Sequence, residues 1–130
     1  MTENIRIIRR TLERIRVIAL NNEFSGLPAY EVVVDGKACH CAVGALLHPE
    51  TLYDITRIGS NHEYIGEVLS KLKVTDPIGL TGLDLDRLAY LQSRHDYHHS
   101  VAKDRDEDEV RELANRDVLR WATYELATLF

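Results

Sequence analysis

The chain has 130 residues, 45% of them apolar and 28% charged, with a formal net charge of −5. These proportions match an ordinary globular domain and exclude fibrous, collagenous and largely disordered chains. The length predicts a single globular domain over residues 1–130 that buries about two-thirds of its unfolded surface, too small for a normal nucleotide-binding sheet plus a second domain.

The first residues lack a signal-peptide core and no run of about 20 apolar residues occurs, so a cytoplasmic location and no membrane partner are expected. Residues 3–20 are predicted to form a helix. Ile5, Ile8, Leu12, Ile15 and Ala19 recur at spacings of three and four, with Ile7 and Ile18 widening the stripe. Asn21 and Asn22 are the expected terminators. Arg6, Arg9, Arg10, Arg14 and Arg16 stand against only Glu3 and Glu13 in this stretch. A pI near 5.6 argues against nucleic acid as the partner. The arginines read first as a solvated face, or as partners for the acid-rich segment 104–112.

Tyr30 to Val34 is β-branched enough for a strand, Asp35-Gly36 signals a tight hairpin turn, and Lys37 to Cys39 is the return strand. Cys41 to Leu47 mixes small and branched residues and reads as a buried helix. Gly44 weakens such a helix unless a neighbouring backbone approaches closely. Ser60 and Glu63 form a capping-box signature for a helix with Tyr64, Ile65, Val68, Leu69 and Leu72. Asp76-Pro77 and Gly79 interrupt the chain. Leu85, Leu88 and Leu91 mark a short helix capped by Thr81 or Asp84. Residues 93–100 lack a clean apolar period and are predicted to be a loop. Asp106 and Glu109 are a second capping box, opening a last helix with Val110, Leu113, Ala114, Val118, Trp121, Ala122, Leu126 and Leu129 on its apolar face. The fold class is mainly α, a compact domain of about five helices and one small hairpin, with α+β as the alternative. The first and last helices are expected to pack together, favoured modestly by opposite charge.

The cysteines, Cys39 and Cys41, flank His40. A disulfide across one residue would be strained, so reduced thiols are expected. Three readings compete. Cys41 at a helix start is a candidate nucleophile, with His95 as base and Asp96 as its orienting carboxylate; His40 and His62 are alternative bases. Such a set suits a small cysteine-dependent hydrolase or transferase. Cys39, Cys41, His95 and His99 could instead hold zinc, with His40, His48, His62 and His98 as further ligand types. C-x-C is, however, tighter than the usual zinc pair. The third reading makes Cys41 an ordinary core residue.

The block Val34 to Leu47 contains Cys41-Ala42-Val43-Gly44-Ala45-Leu46 after an Asp-Gly turn. It resembles a C-A-x-G-A-L core found in small uncharacterised proteins of bacteria and their phages. Those proteins often carry an Asn-Asp pair before a final helix, and Asp96, preceded here by His95, would match its second member. The resemblance implies a bacterial or phage origin and an accessory role.

No complete catalytic constellation is legible, so the leading expectation is a non-enzymatic interaction or accessory factor with a protein partner and no cofactor. Zinc is the alternative cofactor. Arg6, Arg9, Arg10, Tyr97 and Trp121, with Tyr90 and Tyr124, are the candidate contact residues. A homodimer through the first or last helix is a further option.

Overall fold

The computed structural model describes residues 3–34, 36–46, 53–55, 57, 59, 65, 67–68, 82–101 and 104–129. The protein is mainly helical with one small two-stranded antiparallel hairpin, as expected; the count of about five helices is slightly off. The described elements are α1 (Glu3–Leu20), β1 (Glu31–Val34), β2 (Lys37–His40), a 3-10 turn (Gly44–Leu46), α2 (Leu85–Val101) and α3 (Glu107–Ala127). His48, His62, the Ser60–Glu63 capping box, the Asp76–Pro77 break and Thr81 lie outside the described residues.

Helix α1 buries Leu12, Ile15 and Ala19, the stripe its period predicts. It ends in a Schellman-type turn. Asn22 takes φ 57°, the Glu23 amide donates to the Ile18 carbonyl at 3.1 Å, and the Asn22 amide donates to Ala19 at 3.0 Å. The hairpin pairs Glu31 with His40 and Val32 with Cys39, and Gly36 at φ +78° makes its turn. Helix α3 is capped as its sequence predicts: the Asp106 carboxylate accepts from the Glu109 amide at 2.8 Å. The first and last helices do pack together, and α2 packs on α3. The acids near the start of α3 pair locally, Asp108 with Arg111, Glu109 with Arg105 and Glu112 with Arg116.

Buried side chains from Leu12 to Ala122 form one core cluster, which includes Phe24, Tyr30, Val43, Leu91 and Val118. Ile55, Ile65 and Val68, all helical, join it.

Two expectations are corrected. Segment 41–46 is not a helix but a bend leading into the 3-10 turn. The small residues serve close approach instead: a Cβ on Gly44 would lie 2.3 Å from the Tyr30 carbonyl oxygen. A chain pressed this closely on its neighbour bends tightly, with Leu46 donating to Val43 at 3.0 Å. Residues 93–100 are not a loop but the second half of α2. The apolar period there is continued by polar residues, Gln92 and His95, both buried.

Candidate functional site

Two places in the fold bring chemistry-bearing side chains together. The first is the buried centre where α2, α3 and the segment after α1 meet. His95, three and four residues beyond Gln92 and Leu91 on the inward face of α2, is fully buried. Its Nδ1 lies 2.7 Å from the Asp96 carboxylate. Its Nε2 accepts from the Gly26 amide at 3.0 Å. Those partners assign a neutral ring protonated at Nδ1. Asp96 therefore does orient His95, although the two are sequence neighbours.

The same loop is held by α3. Asn115 accepts from the Phe24 amide at 3.1 Å and donates to the Phe24 carbonyl at 3.0 Å and to the Arg111 carbonyl at 2.7 Å. The Ser25 amide donates to the His40 carbonyl at 2.8 Å. Three consecutive residues, 24 to 26, are thus tied to α3, β2 and α2 in turn. Phe24 also meets the His95 ring edge-on, with centroids 6.0 Å apart.

Cys41 faces the same interior. Its sulfur accepts from the Gly44 amide at 3.2 Å. Burial pushes its thiol up from 9.0 to about 12, and the Asp96 charge adds to that rise, outweighing the Gly44 hydrogen bond. The expected helix start, which would lower the thiol, is replaced by the 3-10 turn. A His–Asp pair normally offers the second ring nitrogen to a nucleophile's proton. Here that nitrogen already receives the Gly26 amide hydrogen. The Asp96 carboxylate acts on both Cys41 and His95, but the described hydrogen bonds make His95 a clasp for a loop.

Among the described residues, no three His, Cys, Asp or Glu side chains converge as a metal shell. The expected set of Cys39, Cys41, His95 and His99 is not gathered: Cys39 is half-buried on the hairpin and His99 exposed near the end of α2. His40 pairs across the hairpin with Glu31 at 3.1 Å. His98 meets Asp117 of α3 at 2.7 Å, and Arg94 reaches the same carboxylate at 3.2 Å.

The second place is the other end of the α2–α3 seam. Where Asp117 closes the seam, the helices are bridged. Towards the start of α2 and the end of α3 they enclose a cleft of about 390 Å³. Tyr90, Trp121 and Tyr124 form its aromatic lining, and Asp84, Asp86, Arg87 and Glu125 its charged rim. Tyr90 and Tyr124 are 54% and 65% exposed, whereas Trp121 is 9% exposed. Trp121 thus roots the cleft in the core while the tyrosines stand free. Asp84 also caps α2, accepting from the Arg87 amide at 2.8 Å.

The other expected contact residues lie elsewhere. Tyr97 shares the Tyr90 face of α2, seven residues on, with the Arg94 guanidinium 5.9 Å from its ring centre. Arg6 and Arg10 are exposed on α1, and Arg9 is half-buried. Asn115 and Gly26 escape a sequence reading of function. Asn115 has one legible signal, a polar residue three before Val118 and seven before Ala122 on an apolar stripe.

No helix among the described residues is long and apolar enough to cross a membrane. Neither protein-family models, curated proteins nor solved structures yield a match to the chain.

Proposed function

We propose that this protein acts as a non-enzymatic interaction factor, binding a protein partner through the α2–α3 cleft. The observation that carries the reading is the grouping of Tyr90, Trp121 and Tyr124 around one solvent-open cavity. Aromatic side chains rooted in the core and ringed by charge are the usual anchors of protein recognition. Tyrosines with nothing to gain from the interior, yet more than half exposed, fit a surface kept for a partner. The buried centre supports the same reading from the other side, because its histidine is spent on holding the loop.

The test is an aromatic photo-crosslinking residue, benzoylphenylalanine, which keeps a ring at position 124, with one at exposed Val33 on the hairpin as control. We expect a stoichiometric protein adduct from position 124 that excess unmodified protein competes away and that Tyr90→Ala removes. Equal crosslinking from both positions, or none from 124, would overturn the reading. Activity lost on Cys41→Ala with the fold intact would favour the cysteine-dependent alternative.

A further inference from the structure

We propose that the cleft takes a basic side chain, a lysine or arginine, presented on a peptide segment of the partner. The inference rests on the interaction reading above and names the chemistry of what is bound.

Three features of the cleft converge. The rim carries Asp84, Asp86 and Glu125 against Arg87, a formal balance of −3 + 1 = −2. The walls are the aromatic side chains of Tyr90, Trp121 and Tyr124, and the negative quadrupole of an aromatic face attracts a cation within about 6 Å. Tyr124 and Glu125 lie in the last turn of α3, which contains no basic residue. The negative end of that helix dipole has no cation of its own within α3, while Asp84 and Asp86 answer the positive end of α2 at the same cleft.

A fourth feature selects a peptide over a free amine. Trp121 is nine-tenths buried and lines the cleft, and its side chain carries an indole N–H. That group can only donate. A cation alone leaves it unanswered. A peptide answers both demands, with an ammonium or guanidinium for the rings and acids, and a backbone carbonyl for the indole.

Trp121 is the single tryptophan of the chain, so its fluorescence reports the cleft. The experiment titrates the intact protein with capped Gly-Gly-X-Gly-Gly peptides in which X is lysine, arginine or the neutral norleucine. Ring resonances of Tyr90 and Tyr124 serve as a second readout. We expect saturable binding of a basic peptide at least fivefold tighter than norleucine, weakening as salt rises from 50 to 500 mM because exposed charges are screened. Glu125→Gln and Tyr124→Ala should each weaken it at least threefold. Tyr124 is exposed enough for its removal to leave the helix signal unchanged. Equal binding of norleucine would show a merely apolar groove and overturn the charge assignment. So would unchanged binding in Tyr124→Ala, or dilution of the protein alone moving the same resonances, which would seat a second copy in the cleft. These failures leave the crosslink from position 124 in place. Absence of that crosslink removes the interaction reading whatever the peptides do.

Discussion

Two glycines of similar backbone do different jobs. Gly26 and Gly36 sit at φ +76° and +78°, where a side chain costs about 1–2 kcal/mol. Around Gly36 there is open space, whereas a Cβ on Gly26 would stand 2.8 Å from the Arg111 Cα. Gly26 therefore serves the approach of the loop to α3 as well as the turn, and its amide feeds His95. Gly36→Ala should cost about 1–2 kcal/mol of unfolding free energy, the conformational part alone. Gly26→Ala should cost about 3 kcal/mol or more, since backbone must move as well. Urea unfolding of the two variants separates the terms, and equal costs would mean that the contact with Arg111 relaxes freely. The Asp35-Gly36 pair is legible as a hairpin turn, but nothing in the sequence shows that Gly26 must also let α3 approach, because that neighbour lies 85 residues away.

At the scale of elements, the helices were legible where apolar residues carry the period and illegible where polar residues do. Helices α1 and α3 needed only their stripes and, for α3, the Asp106 cap. The second half of α2 was hidden because Gln92 and His95 occupy inward positions where a reader looks for leucine. The Gln92 side chain accepts from the Ile65 amide at 3.3 Å, and His95 accepts from Gly26, so each polar group replaces an apolar one only by virtue of a distant backbone partner. Asn115 belongs to the same class. Its loss leaves both polar groups of Phe24 without their partner in a buried setting, which costs about 1–3 kcal/mol per group. We expect Asn115→Ala to lower stability by about 3 kcal/mol and to speed hydrogen exchange at the Phe24 amide, while amides in the middle of α1 keep their protection relative to global unfolding. Unchanged exchange at Phe24 would show that the loop is held without α3.

Across the whole molecule, the cysteines report how sealed the interior is. Cys39 is half-buried and Cys41 is 1% exposed. Iodoacetamide should modify Cys39 in the native protein, and Cys41 only as fast as the protein unfolds. Burial raises the folded Cys41 thiol from 9.0 to about 12. The folded state therefore holds its proton more firmly than the unfolded state does. That contribution to stability is complete below pH 9 and is lost as pH rises from 9 towards 12. Stability of the Cys39→Ser protein should decline over that interval by a component that a further Cys41→Ala change removes. An identical pH slope in the two proteins would mean that the Cys41 thiol titrates normally. The sequence by itself determined the mainly helical class, the hairpin, the inward faces of α1 and α3 and the cap of α3, because these follow from periods and neighbours a few residues apart. Tertiary structure alone decided that Gly44 presses against the Tyr30 carbonyl so that segment 41–46 bends, that His95 clasps Gly26, and that Tyr90, Trp121 and Tyr124 meet around a cleft. Those outcomes depend on backbone groups and helix ends distant in the chain, and short-range spacing has no means of encoding them.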